Sequence, residues 1–398
     1  MNKSIYMDNA ATTNVKKEVI EEMLPYFGEI FGNPSSVHLF GRKARKAVEQ
    51  AREQVAKAIN AMPEEIYFTS GGTESDNWAI KGTVKTLKGK KNHIITSQIE
   101  HHAILHTCEQ LEKEGVEVTY LPVDEYGLIS IEDLKKAIKP NTMLISIMFA
   151  NNEIGTIQPI EEIGKIAREN KILFHTDAVQ AIGNVKVDVE AQHIDMLSLT
   201  AHKFNGPKGI GALYIKKGFK PFNLIEGGHQ ERSRRAGTEN VPGIVGLGKA
   251  IELATTDIDK HIEKLTKLRD KLIQGVMENI NFTILNGHPT KRLPGNTSFC
   301  FKYIEGESLL LSLDMKGVAG SSGSACTSGS LDPSHVLLAI GLIHEIAHGS
   351  LRLSLGDINT EEDVDYVLEI LPEIVQRLRN MSPLYECVLR EEKNGFSA

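Results

Sequence analysis

The chain has 398 residues, 41% apolar and 24% charged, a balance that excludes disordered and fibrous architectures and allows two or three folding units. Its 45 basic against 52 acidic side chains give a net charge of −7, which argues against nucleic acid or an anionic membrane as the main partner. No apolar run approaches the ~20 residues of a bilayer span. The N-terminus shows no apolar leader pattern, and Cys108, Cys300, Cys326 and Cys387 form no CxxC pair, so a reducing, cytoplasmic setting is expected.

In chain order, the pattern predicts a helix over 41–59, a strand over 65–69, a helix over 75–87, a strand over 93–97, a helix over 103–114 and a strand over 116–123. A nearly uninterrupted apolar strand at 143–150, a helix at 160–170 and strands at 172–176, 194–200 and 211–215 follow. Continuous apolar strands alternating with helices predict an α/β fold with a mostly parallel sheet covered by helices on both faces. After Pro242 come a long helical stretch to 279, a strand at 296–301, a Gly/Ser-rich loop at 319–330, a strand at 351–355 and a helix at 360–380. These predict a smaller α+β domain packed on the large one. The expected division is 13–258 for the large domain, and 1–12 with 259–398 for the small one.

Ligands of such sheets bind at the carboxyl ends of the strands, where several informative residues fall. Gly71-Gly72-Thr73-Glu74-Ser75 follows a strand and opens a helix. Free N–H groups, a positive helix end and the Thr73 hydroxyl suit a phosphate, although a plain turn with Thr73 as N-cap has the same sequence. Asp177 ends the 172–176 strand, with Gln180 three residues on. A carboxylate at that depth needs a cation or strong donor, such as a protonated ring nitrogen, unless it caps the next helix. Lys203, in Thr200-Ala201-His202-Lys203, follows another strand. Desolvation would free its neutral amine for Schiff-base chemistry, whereas most single lysines snorkel at the surface. An anion site, a pyridinium partner and an aldehyde-reactive amine together describe pyridoxal 5′-phosphate.

His101, after the 93–97 strand, is either a ring stacked on that cofactor that transfers protons or a core histidine. Cys326 sits in a loop too rich in Gly and Ser to pack tightly, which suits a nucleophile that swings; Cys108 and Cys300 fit as small core hydrophobes. Arg352 can grip a carboxylate in bidentate fashion or be a plain edge-strand arginine. His344-Glu345-Ile346-Ala347-His348 matches the zinc motif HExxH, but Gly349 cuts the segment short, and the match is taken as coincidence.

Further segments carry a resemblance over almost the whole chain. They include Met7-Asp8-Asn9-Ala10-Ala11-Thr12-Thr13, Gly32-Asn33-Pro34-Ser35-Ser36-Val37-His38, Asn151-Asn152-Glu153-Ile154-Gly155, His175-Thr176-Asp177-Ala178-Val179-Gln180, Arg235-Ala236-Gly237-Thr238 and Ser322-Gly323-Ser324-Ala325-Cys326. With Gly72-Thr73, Glu100-His101, His202-Lys203 and Arg352, they resemble the NifS/IscS-type cysteine desulfurases, class-V aminotransferase relatives with the aspartate-aminotransferase-like, fold type I architecture.

The resemblance implies that Lys203 links to pyridoxal phosphate and moves protons at the substrate α-carbon, and that His101 stacks on the ring as acid and base. It implies Asp177 on the pyridine nitrogen, Gln180 on the ring hydroxyl, and Gly72, Thr73, Thr200 and His202 on the phosphate, with Thr238 reaching in from a second subunit of a homodimer. Asn152 would contact cofactor and substrate, and Arg352 and Asn33 the substrate, L-cysteine. Cys326 would take its sulfur as a persulfide, leaving alanine, pass it to an IscU/NifU-like iron–sulfur scaffold or other acceptor, and act as a transient iron–sulfur metal ligand. Thr200 replaces the family's serine and keeps the hydroxyl. The short C-terminus lacks the longer tail of IscS-type members, a lean toward NifS-like ones. Selenocysteine lyase or an aminotransferase-like relative is the alternative enzyme, and a phosphate-ligand binding protein the alternative without catalysis.

Overall fold

The computed structural model describes residues 4–322 and 333–387. In chain order its strands are β1 (Ile5–Tyr6), β2 (Ile66–Thr69), β3 (His93–Ser97), β4 (Glu117–Leu121), β5 (Thr142–Ser146), β6 (Leu173–Asp177), β7 (Met196–Thr200), β8 (Gly211–Ile215), β9 (Thr283–Leu285), β10 (Asn296–Phe301), β11 (Val318–Ala319) and β12 (Ser350–Ser354). Seven of them form one sheet in the order β2-β8-β7-β6-β5-β3-β4. Strands β3 to β7 are mutually parallel, whereas β8 runs against both neighbours. The sequence pattern does not reveal that reversal. Its cause is the connection over 201–210, too short for a crossover helix, so the chain folds back on β7.

Strands β3, β5, β7 and β8 are buried at every residue. Successive side chains Ile94 and Ile95, Leu144 and Ile145, Met196 and Leu197 enter different cores, as the two-residue period of a strand requires. Helices Leu39–Ala58, Ile160–Glu169 and Val241–Thr256 cover one face; Gly72–Leu87 and His102–Lys113 cover the other. Leu39–Ala58 and Val241–Thr256 approach so closely that a Cβ on Gly248 would stand 2.7 Å from Ala51.

A further core, built from Leu272, Val276, Phe299, Leu309, Leu353 and Leu371, lies among the antiparallel sheet β12-β10-β9 and helices Ile258–Asn279, Gly306–Met315 and Glu361–Asn380. Ile5 and Met7 belong to it because β1 pairs with β11. The long helical stretch expected after Pro242 is two helices, interrupted at Asp257. Thr255 and Thr256 turn their hydroxyls onto the Ile251 and Glu252 carbonyls, which competes with continued helix. Helices Lys17–Met23 and Ile131–Ala137, seven residues each, are too short to register as a periodicity. No helix among the described residues is long and apolar enough to cross a membrane.

Two departures matter for the site. The 143–150 segment leaves the sheet after Ser146 yet stays buried, with Ile147 and Phe149 N–H still donating to the His175 and Asp177 carbonyls; this irregular exit delivers the turn at Asn151 and Asn152. The HExxH segment is a five-residue helix ending at Gly349, with His344 and Glu345 exposed.

Candidate active site

Neighbouring strands β6 and β7 end at Asp177 and Thr200, on the same side of the sheet. Asp177 is buried and accepts the Val179 N–H at 2.9 Å; only turns follow it, so it closes a turn and caps no helix. Burial holds its carboxyl above the ordinary range, with the Val179 N–H and Lys203 pulling it down. Behind it lies buried Asp76, whose carboxyl is held up by burial and by the Asp177 charge. Asp76 Oδ1 is 3.7 Å from His175 Nε2. His175 lies between the Ser146 and Ser198 hydroxyls at 2.8 and 3.0 Å, and burial lowers it to about 3, so it is neutral.

The chain leaves β7 through one 3₁₀ turn, Ala201–Lys203. There Lys203 Nζ donates to the Ala10 and Ala11 carbonyls at 2.6 and 2.7 Å. Gln180 Nε2 donates to the same Ala10 carbonyl at 2.9 Å, so the N-terminal segment walls the lysine in. His202 Nδ1 is 3.1 Å from Thr12 Oγ1, and burial with nearby Lys203 and Lys208 lowers it to about 4. Thr200 Oγ1 donates to the Ile210 carbonyl at 3.1 Å. A cavity of about 390 Å³ also touches Lys203, Gln180 and Ala10 but is otherwise lined by different residues, among them Lys260, His261 and Asp357.

Helix Gly72–Leu87 starts three residues earlier than its periodicity suggests, with Gly71 as N-cap and no side chain capping it. Thr73 is therefore an exposed first-turn residue and not the N-cap. A Cβ on Gly72 would stand 2.7 Å from Val179 Cγ2, so glycine lets the helix start approach the turn after Asp177. Glu74 accepts the Ser70 N–H at 2.7 Å and pairs with Arg235 at 2.8 Å, fastening this helix start to the segment bearing Thr238.

His101 N-caps the next helix, its Nδ1 accepting the Ala103 N–H at 3.1 Å. That bond leaves the proton on Nε2. Burial first, then Lys203, His102 and His106, lower the ring to about 4, so it is a neutral imidazole at pH 7. The preceding Glu100 is buried, accepting from the Ser97 hydroxyl at 2.6 Å and from the Met148 N–H at 3.0 Å. Burial lifts its carboxyl to about 8 against the Ser97 and Met148 bonds, with Asp177 adding to the rise. The folded chain thus binds a proton at Glu100 that the unfolded chain has released, and this contribution to stability shrinks as pH climbs from about 4.5 through about 8. Melting of the cofactor-free protein across that range should show a shallower alkaline decline for Glu100→Gln; an equally steep decline contradicts the assignment.

Arg352 is 3% exposed although β12 is an edge strand. One terminal nitrogen donates to the Asn152 carbonyl at 3.1 Å and the other pairs with Asp8 at 2.9 Å, while Nε is buried with no hydrogen-bond partner among the described residues. Asn33 and Thr238 are exposed and do not line the cavity at Lys203. Cys326, with its expected nucleophilic and metal-ligand roles, lies outside the described residues. Cys108 and Cys300 are buried and their thiols rise to about 12 and about 11, chiefly by burial, which makes them inert core residues. The roles of Asp8, Asp76 and Glu100 were not foreseen. Their one signal was position, beside Asn9, within the Gly72 helix and before His101.

A parallel-sheet enzyme fold with a lysine and an aspartate at adjacent strand ends matches the family model described as Aminotransferase class-V over residues 5–367. The chain belongs to that family. It is 65% identical over 383 residues to the protein named cysteine desulfurase IscS of Methanosarcina thermophila, covering 96% of this chain and 95% of that one. Against the Clostridium botulinum protein of the same name it is 62% identical over 395 residues, covering 99% and 100%. Relatives bearing the IscS name are thus matched over nearly their whole length. Among solved structures, a NifS-like protein superposes with a TM-score of 0.89 at 42% identity, over 94% of this chain and 100% of that one. One titled SspA in complex with cysteine gives 0.80 at 42%, over 88% and 99%.

Proposed function

We propose that this chain is a pyridoxal-phosphate-dependent cysteine desulfurase, converting L-cysteine to L-alanine and handing the sulfur on from Cys326 for iron–sulfur assembly. The identity to proteins of that name over nearly the full chain supports the activity. One structural observation supports the cofactor: among the described residues, buried Asp177 has no cation beyond nearby Lys203, and it stands beside a helix start that no described side chain caps. The donor set fits the group. Pyridoxal phosphate, when bound, supplies an amine-capturing aldehyde and an electron-withdrawing ring.

Asp177 would hold the ring nitrogen and Gln180 the ring hydroxyl, with Gly72, Thr73, Thr200 and His202 about the phosphate. Lys203 would hold the group through its aldehyde and would carry the substrate α-proton, its amine kept in register by the Ala10 and Ala11 carbonyls. His101, neutral with its proton on Nε2 because Nδ1 accepts the Ala103 N–H, would lie against the ring and donate or accept a proton. Arg352 and Asn152 would hold the substrate carboxylate, and Asn33 would contact the substrate. The Cys326 thiolate attacks the substrate sulfur; the new S–S bond forms, the C–S bond breaks, and the carbon keeps the electron pair and gains a proton. The Cys326 persulfide then passes its outer sulfur to an iron–sulfur scaffold or another acceptor.

A homodimer would bring the partner subunit's Thr238 to the phosphate; exposed Phe27, Phe31 and Val37, at 66%, 68% and 88%, offer an apolar face for it. The separate cores support a division at 13–258 against 1–12 with 259–398.

Mass spectrometry after incubation with L-cysteine tests the reading. One added sulfur on the Cys326 peptide is expected, and its appearance only on Cys387 or Cys108 would sink the assignment. Replacing Arg352 by lysine, which cannot reproduce the fork, should raise KM for cysteine by about 10- to 100-fold with a much smaller change in kcat. An unchanged KM would remove Arg352 from the substrate site.

A further inference from the structure

Hydrogen-bonded ties flank the segment that carries Cys326. Ahead of it, the Ser321 N–H donates to the Arg352 carbonyl at 3.0 Å and the Arg352 N–H to the Ser321 carbonyl at 2.6 Å. Behind it, Ser334 Oγ donates to the Glu153 carboxylate, and His335 Nε2 lies 3.0 Å from the Glu100 carbonyl. The same Ser334 hydroxyl caps helix His335–Ala339, accepting the Val336 and Leu337 N–H groups at 3.1 and 3.4 Å. Every tie ends on, or next to, a residue of the proposed chemistry: Arg352, Glu153 beside Asn152, and Glu100 before His101.

Glu153 is 7% exposed and Ser334 5%, and Asn151 Oδ1 fixes the turn by accepting the Glu153 N–H at 2.8 Å. Burial lifts the Glu153 carboxyl to about 7, against the Ser334 bond and Arg352. A buried carboxyl held by one hydroxyl stabilises a fold poorly compared with an apolar residue of equal volume. It does define a point in space, because both partners are locked by further bonds.

We propose that Ser334 on Glu153, with His335 on Glu100, are positioning residues that fix the C-terminal foot of the Cys326 segment against the turns bearing Asn152 and His101. Through that anchorage they act on the rate of sulfur transfer to Cys326 and not on cofactor binding. This rests on the desulfurase reading, and holding reacting atoms in register is worth orders of magnitude in rate.

The test uses the cofactor-loaded full chain as parent, Ser334→Ala and Ser334→Thr. Ser334→Ala should slow single-turnover appearance of the Cys326 persulfide about tenfold or more, while the cysteine concentration that half-saturates the cofactor absorbance change moves less than about twofold. Amide exchange in the 333–340 peptide should accelerate, and Ser334→Thr, which restores the hydroxyl, should reverse both effects. Persulfide formation at the parental rate in Ser334→Ala, loss of cofactor absorbance together with the rate, or no rescue by threonine overturns the proposal. Failure of the desulfurase reading looks different: the parent chain itself then gains no sulfur on Cys326.

Discussion

Lys203→Ala is expected to lose the covalent cofactor link entirely and to lower turnover of L-cysteine by about 10³-fold or more. On the proposed reading Lys203 joins two tasks that a methyl group cannot perform, capturing an aldehyde and carrying a proton. Its amine is already aimed, since the Ala10 and Ala11 carbonyls hold Nζ at 2.6 and 2.7 Å. The phosphate contacts proposed for Gly72, Thr200 and His202 do not involve the lysine, so pyridoxal phosphate should still bind, only reversibly. Borohydride treatment followed by denaturation separates the cases: the parent keeps a pyridoxyl group on the Lys203 peptide and the variant keeps none. A variant that retains a covalent pyridoxyl group, or turns over within about tenfold of the parent, contradicts the assignment.

Cys326→Ala should leave the cofactor spectrum intact and reduce sulfide release with an added thiol reductant by about 100-fold or more. The reason lies in the other thiols. Cys108 and Cys300 are buried and neutral at pH 7, their thiols raised to about 12 and about 11, so neither can stand in as thiolate. Cys387 is exposed but belongs to the C-terminal end of the described chain. Sulfide release that persists at the parental rate, or a persulfide that moves to Cys387, would show that another group accepts the sulfur. Comparing this variant with Lys203→Ala also divides the reaction, since only Lys203→Ala should alter the cofactor spectrum.

Much of this was legible before any coordinates. Strands 93–97, 211–215 and 296–301 fall where short β-rich runs bounded by turn residues place them. Gly72, Asp177 and Lys203 stand out because strand ends are where a parallel sheet exposes backbone and charge. Their residue types point to the chemistry, and the resemblance carried by many ordered segments from Met7 to Arg352 names the family.

What the amino-acid order determined, then, was the alternation of elements, the residues at their ends and the family they define. Only tertiary structure decided that β8 runs backwards, that Asp8 and Asn152 grip Arg352, that Ala10 and Ala11 hold Lys203, and that Ser334 reaches Glu153. These are contacts between residues up to hundreds of positions apart. Local periodicity reports how each segment meets an apolar surface, and it carries no information about which distant carbonyl or carboxylate lies across from it.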